Sequence, residues 1–227
     1  MKNINDICVI IQARLSSERV PGKMLKPFAG TTLMDILFKK LEQSKIIKKK
    51  HIYLSAYEED LKNVGKKYNV NIFNRSKKSS LSEGEKLSEI FEWHDKLPYK
   101  YVVNINACNL FLKINTIDNF FKDFMNSDKE GSFAVIDKKN YFWNEKFQSL
   151  TDWKNLKLMN TKFVSSTFEA AHCLNASRLD IIKDGYWIDT TIPKMSKFFI
   201  VDEFEAFDID YAWQFELYEK LYSTLKE

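Results

Sequence analysis

The sequence predicts an α/β fold: a mostly parallel sheet flanked by helices, with a small mixed β and loop lobe from the second half of the chain. Three observations carry this. Ile7 to Ile11 is a continuous, mostly β-branched apolar run, as expected of a strand buried on both faces. Strand-like runs then alternate with helix-spaced segments, the cadence that parallel crossover units produce. From Ser132 that alternation stops, and short extended runs surround an aromatic-rich polar stretch, Tyr141 to Trp153.

The elements follow in order. After the first strand comes a polar, cationic loop in which Pro21-Gly22 forces a turn. Helical spacing begins at Leu33, Ile36, Leu37 and Leu41. His51 to Ser55 reads as a second strand, Glu58 to Tyr68 as a helix and Val70 to Phe73 as a short third strand. Glu85 to Asp95 has helical spacing at Leu87, Ile90 and Phe91. Tyr101 to Ile105 is a fourth strand, and Ile117 to Met125 a helix with Ile117, Phe120, Phe121 and Phe124 on one face. Phe133 to Ile136, Lys162 to Ser166 and Ala171 to Asn175 extend the sheet in a mixed or antiparallel manner. Asp210 to Lys226 is an amphipathic helix in which Trp213, Leu217, Leu221 and Leu225 recur every four residues with Tyr218 alongside, the spacing for docking on the sheet.

Composition bounds the class. With 227 residues, 44% of them hydrophobic, the chain suffices for one α/β domain spanning 1–227, in which about 137–198 forms the lobe. A net charge of +4, with lysines spread over the whole length, argues against a dedicated nucleic-acid binder. Cys8, Cys108 and Cys173 are odd in number and far apart, and read as reduced core thiols of a cytoplasmic protein. The start has too short an apolar run for a signal peptide, and no run is long enough to span a bilayer, so no membrane partner is expected.

Two segments bear chemistry. Arg14, Arg19, Lys23 and Lys26 lie in a loop at the carboxyl end of a buried strand, where open α/β sheets bind ligands. Cations and loop amides together suit a polyphosphate. The plain alternative is a solvated surface loop. Near the other end, Asp208-Ile209-Asp210 in an extended segment places both carboxylates on one face and Phe207 and Ile209 on the other. Two oxygens from one face, with water and phosphate completing the set, suit Mg²⁺. The competing reading makes Asp210 a helix N-cap, which leaves Asp208 unexplained. The run Tyr101 to Leu112 carries Asn104, Asn106 and Asn109, of which Asn109 reads equally as a turn former. His51, His94 and His172 share no metal-ligand spacing with the cysteines, and no nucleophile–His–acid arrangement is visible. Phe142, Trp143, Phe147 and Trp153 read as a small lobe core or a subunit contact, which leaves a homodimer open.

Gln12-Ala13-Arg14-Leu15-Ser16-Ser17-Glu18-Arg19-Val20-Pro21-Gly22-Lys23 resembles the amino-terminal signature of sugar-activating nucleotidyltransferases of the cytidylyltransferase type, including the CMP-sialic acid synthetases. Order, spacing and the adjoining strand all agree. The resemblance implies a Rossmann-like, GT-A-like fold and a site for CTP. It places Gln12 and Ala13 at the nucleotide and Arg14, Ser17 and Lys23 on the triphosphate, with Arg19 and Lys26 as weaker candidates. The sialic acid branch carries Asp-Ile-Asp before its final helix, which implies a metal role for Asp208 and Asp210, with Mg²⁺ or Mn²⁺ as cofactor. Other branches end the fourth strand in Gly-Asp. This chain has no acid there, and Asn106 aligns with a nucleotide-contacting Gln of the sialic acid branch, although the prolines of that run are absent. Arg75 aligns with an arginine near the nucleotide, and Ser55 lies in the segment that faces the base.

The implied reaction is CMP transfer from CTP to a small acidic acceptor with release of pyrophosphate, with Arg14, Lys23 and Asp210 as catalytic residues. The acceptor implied is a sialic-acid-like nonulosonic acid, for a capsule or surface polysaccharide. Rival readings are a phosphorylated amino acid or phosphonate acceptor, a catalytically silent nucleotide-binding module, and a glycosyltransferase that releases no pyrophosphate.

Overall fold

The apolar run at the start forms β1 (Ile7–Gln12), five of whose six residues are buried. In the computed structural model, which describes residues 1–81, 86–152, 160–184 and 195–225, two parallel strands flank it. These are β2 (Ile52–Ala56) and β4 (Tyr101–Ile105), with Val9 opposite both Ile52 and Val103. β3 (Asn71–Asn74) pairs in parallel with β2. Past β4 the sheet becomes mixed. β6 (Thr167–Arg178) runs antiparallel to β4 and to β5 (Gly131–Lys138), and β7 (Ser196–Ile200) lies parallel to β5. The order is β3-β2-β1-β4-β6-β5-β7.

Alternation along β1 gives the sheet two apolar faces. Ile7, Val9 and Ile11 pack with Met34, Leu37 and Phe38 of α1 (Leu33–Leu41), with Leu61 of α2 (Glu59–Lys67) and with Phe120, Phe121 and Phe124 of α4 (Ile114–Asn126). Cys8 and Ile10 face the other way, against Trp93, Val102, Leu179 and Ile182. The chain leaves β1 toward β2, while β4 lies on β1's opposite side. The carboxyl ends of β1 and β4 therefore part at a switch point, where a crevice opens.

Several expectations need correction. The segment from 85 to 95 is helical only as α3 (Leu87–Ile90), with Glu85 outside the described residues. Phe91 leaves the helix at φ −105° and ψ 44°, and the following turns bury Trp93 completely against the sheet. Burial of a large indole here overrides helical propensity. Lys162 to Ser166 is not a strand. Thr161–Phe163 makes a short 3-10 turn capped by the Asn160 side chain, and β6 begins at Thr167. β7, which the pattern did not indicate, adds a seventh strand. Phe147 and Trp143 are 89% and 52% exposed, so they form no lobe core, and Trp153 lies outside the described residues.

The last helix, α5 (Ala212–Thr224), follows its four-residue spacing only in part: Tyr218 and Leu221 pack inward as expected, whereas Trp213 and Leu217 do not. Phe215 and Tyr218 are buried, while Trp213 and Leu217 are 59% and 51% exposed. Phe215 meets Phe28 edge-on with ring centroids 5.0 Å apart, and Tyr218 stacks on Phe207 at 5.4 Å. With Val20, Leu110, Phe111 and Ile209 these rings form a third apolar cluster. It joins the loop after β1, the loop after β4 and the segment before α5. No described helix is long and apolar enough to cross a membrane.

Candidate active site

The loop after β1 is built by backbone as much as by charge. Gly22 takes φ +67°, open to glycine without strain, and its N–H donates to the Leu15 carbonyl at 3.1 Å. The Leu25 and Lys26 amides donate back to the Gly22 carbonyl, so the loop closes on itself before α1. Glu58, in the turn between β2 and α2, accepts from the Leu15 N–H at 2.8 Å and ties the loop to that turn. α1 then starts on Thr32, whose hydroxyl accepts from the Asp35 N–H at 3.1 Å.

The loop and the Asp-x-Asp segment meet across one cleft of about 710 Å³ at the β1–β4 crevice. Gln12, Arg14, Ser17, Arg19, Lys23, Arg75, Asn106, Asp208 and Asp210 all line it. Lys23 Nζ donates to the Ile209 carbonyl, between the two aspartates. Arg19 Nη2 pairs with Asp210 Oδ1 at 2.6 Å, and its Cζ lies 5.3 Å from the centroid of the Tyr211 ring. Arg14 reaches across the mouth to the Leu81 carbonyl. Lys26 lies outside the lining and sits 4.7 Å over the Phe215 ring instead.

Ile209 is fully buried in the third apolar cluster, which Phe207 joins, so the two acids face the cleft as the alternation implied. Asp210 is not the cap of α5. Tyr211 holds that position, and Gln214 Oε1 accepts from the amides of Asp210 and Tyr211 at 2.7 and 2.8 Å. That leaves the Asp210 carboxylate to Arg19. Asp208 is more enclosed: burial raises its pKa above the ordinary carboxylate value, the neighbouring charge of Lys23 opposes this and that of Asp210 adds to it. Its Oδ2 accepts from Asn106 Nδ2 at 3.4 Å, while its buried Oδ1 has no hydrogen-bond partner.

The asparagines after β4 hold this acidic segment in place. Asn109, 3% exposed, donates through Nδ2 to the carbonyls of Ala206 at 2.8 Å and Phe207 at 3.3 Å. Glu205 accepts from the Lys113 N–H at 3.0 Å, and Lys40 donates to the Leu110 carbonyl at 2.8 Å. Burial pushes the Lys40 ammonium down to about 8. Asn106 Oδ1 accepts from the Cys108 N–H at 2.9 Å.

Two expected residues stand apart from the lining. Ser55 is fully buried in β2, and its carbonyl accepts from the Ala13 N–H at 3.1 Å. Ala13 is itself buried, and its carbonyl accepts from Arg75 Nη1 at 3.4 Å. Arg75 also donates to the hydroxyl and carbonyl of Ser79, bracing residues 76–80 against the β1 loop. Burial, with the charge of Arg14 nearby, pushes its guanidinium down to about 10.

Sequence reasoning gave no role to three further lining residues. Asn104 and Asn175 are register partners on β4 and β6, and Asn104 Oδ1 is buried without a hydrogen-bond partner. His172 carries φ +52° where the β5–β6 register shifts. A histidine in that strained conformation is uncommon, and bulges re-aim side chains beside sites. None of this is legible as spacing.

The chain is similar to several known proteins. The chain is 48% identical over 46 residues to the spore coat polysaccharide biosynthesis protein SpsF of Bacillus subtilis, covering 20% of this chain and 19% of that protein. It is 26% identical over 135 residues to the 3-deoxy-manno-octulosonate cytidylyltransferase of Rickettsia felis, covering 58% of this chain and 52% of the other. The chain thus spans at most about half the length of these curated relatives. A solved CMP:2-keto-3-deoxy-manno-octonic acid synthetase complexed with CTP shares the fold, with a TM-score of 0.68 at 9% identity over 96% of this chain and 99% of that one. So does the 4-diphosphocytidyl-2C-methyl-D-erythritol synthase of Anaerococcus prevotii, with a TM-score of 0.65 at 14% identity over 97% and 96% of the two chains. Residues 8–222 match the family described as cytidylyltransferase, and the chain belongs to that family.

Proposed function

We propose that this protein transfers CMP from CTP to an oxygen of a small acidic sugar and releases pyrophosphate. The observation that carries the reading is a single cleft lined by Arg14, Arg19 and Lys23 together with Asp208 and Asp210. Nucleotidyl transfer needs little covalent chemistry from a protein. Aligning the acceptor oxygen with the α-phosphorus and neutralising charge supply most of the rate.

In this reading Arg14, Ser17 and Lys23 hold the β- and γ-phosphates and stabilise the departing pyrophosphate. Asp208 and Asp210 hold Mg²⁺ or Mn²⁺. The fit rests on donor chemistry: both are hard oxygen ligands, and the buried Asp208 Oδ1 is unsatisfied by the protein. Among the described residues no three His, Cys, Asp or Glu side chains gather around one point, so two protein carboxylates would share the ion with phosphate and water. When bound, such an ion neutralises phosphate charge. Gln12 and Asn106 offer carboxamides to the nucleoside. Lys23, through the Ile209 carbonyl, fixes the spacing of the two acids.

For the acceptor we favour a sialic-acid-like nonulosonic acid used in a surface or capsular polysaccharide. One curated relative is named for a cytidylyltransferase of an acidic sugar and the other for polysaccharide biosynthesis. The test incubates purified protein and Mg²⁺ with each nucleoside triphosphate and a panel of acidic acceptors, with pyrophosphate detection. The expected result is pyrophosphate release with CTP and an acidic sugar. Release with only phosphorylated amino acids or phosphonates moves the acceptor class. Calorimetric CTP binding without release for any acceptor makes the chain a silent nucleotide-binding module.

A further inference from the structure

Trp93 lies fully buried beneath the cleft, and its Nε1 donates to Gln12 Oε1 at 2.9 Å. An indole nitrogen can only donate. The Gln12 atom facing it is therefore the carbonyl oxygen, and the amide nitrogen with its two N–H donors is turned away from the indole. Gln12 closes β1 on the same face as Cys8 and Ile10, which pack around Trp93 with Val102, Leu179 and Ile182. Phe91 lies against the indole with ring centroids 5.4 Å apart, so the indole is fixed from several sides. Flipping the carboxamide would set its N–H₂ against the indole N–H and leave a buried donor unpaired.

Gln12, Ile90 and Phe91 all line the cleft, and both Gln12 and Phe91 meet Trp93. We propose that Trp93 is a positioning residue for base selection: by holding Gln12 Oε1, it commits the carboxamide to presenting N–H donors to the bound base. This rests on the nucleotide-binding reading given above. Cytosine carries acceptors at O2 and N3, whereas uracil carries an N–H donor at N3. A fixed donor satisfies the first edge and meets the second with donor against donor. The apolar neighbours Ile90 and Phe91 limit water that could relieve the mismatch, so selectivity comes from repulsion of the wrong base as well as attraction of the right one.

The test measures calorimetric dissociation constants of CTP and UTP for the intact protein and two variants. Trp93→Phe keeps most of the apolar bulk and removes the N–H, so the carboxamide can turn either way. The CTP-over-UTP preference is expected to fall about tenfold, the worth of one hydrogen bond. Gln12→Glu keeps Trp93 and its partner oxygen but replaces the N–H donors with a second acceptor oxygen. Its added charge weakens both nucleotides alike, while the CTP-over-UTP ratio is expected to collapse or invert. If Trp93→Phe does not fold, Gln12→Glu decides. Variants that keep the wild-type ratio overturn the inference, as does a wild-type protein that binds CTP and UTP equally. A wild-type protein that binds neither overturns the proposed function, and the inference with it.

Discussion

Arg19 Nη2 and Asp210 Oδ1 lie 2.6 Å apart although 191 residues separate them in the chain. Each belongs to one half of the proposed site: the cation to the phosphate-binding loop, the acid to the metal-binding segment. Without nucleotide they neutralise each other. A triphosphate with its metal would offer each a new partner of the right sign. The side chains are 55% and 35% exposed, so the pair contributes little to folding. Arg19→Ala should therefore change unfolding free energy by less than about 1 kcal/mol in urea titrations. The same variant should weaken CTP binding severalfold at low salt, with the difference shrinking as salt rises. A loss of several kcal/mol in stability would show the pair to be structural instead.

Asn109 presents a different case, since its bonds are buried. Removing its donor leaves the carbonyls of Ala206 and Phe207 unpaired just before Asp208. Asn109→Ala should cost about 1–3 kcal/mol in urea unfolding. Turnover should fall as well, because the segment bearing Asp208 loses its strut. A variant of wild-type stability and rate would reduce Asn109 to the turn former that its sequence context allows.

What the sequence makes legible follows from how local each signal is. β1, the Pro21-Gly22 turn and the facing of Ile209 against Asp208 and Asp210 depend on periodicity and short-range turn chemistry, and all stand in the structure. The inward face of α5 stands only in part, since Tyr218 and Leu221 turn in as expected. Trp213 and Leu217 are as apolar as Phe215, and only Phe28, distant in the chain, decides between them. Trp93 has the same character: its spacing fits a helix, yet the pull of the sheet face and the Gln12 oxygen ends that helix at Ile90. The +52° φ of His172 leaves no trace in sequence, because it arises from a register shift between two strands. The cleft's charged residues are legible as two separate motifs, and only the family resemblance, not spacing, implies that they share one site.

The three cysteines give a pH prediction. Burial raises the thiols of Cys8, Cys108 and Cys173 from near 9 to about 12. Below pH 9 each is protonated in both states and contributes nothing to the pH dependence. Between pH 9 and 12 the unfolded chain releases protons that the folded chain keeps, so stability falls as pH rises. Each thiol adds up to about 1.4 kcal/mol per pH unit to that slope. Cys8→Ala should flatten the fall between pH 9 and 10.5 by one such increment in denaturant unfolding. A disulfide reagent should find no reactive thiol in the native protein at pH 8 and three after unfolding. Rapid native labelling would contradict the burial on which the slope depends.

Lys23 tests the site most directly, because its two roles separate experimentally. Its ammonium donates to the Ile209 carbonyl and lies where a triphosphate would meet Asp208 and Asp210. Lys23→Ala removes both the phosphate contact and the tether. Lys23→Arg keeps a cation but changes its shape, from a compact ammonium to a planar fork. Loss of a contact that stabilises transition-state charge costs on the order of 3 kcal/mol, about a hundredfold in rate. Pyrophosphate release by Lys23→Ala should fall by about that factor, with a circular dichroism spectrum and melting temperature close to wild type, since the side chain is only partly buried. Lys23→Arg should recover nucleotide binding more fully than rate, because charge alone serves the ground state while catalysis depends on where the charge sits. If Lys23→Ala turns over within threefold of wild type, the catalytic assignment of Lys23 fails, and the phosphate-binding role must pass to Arg14 and Arg19.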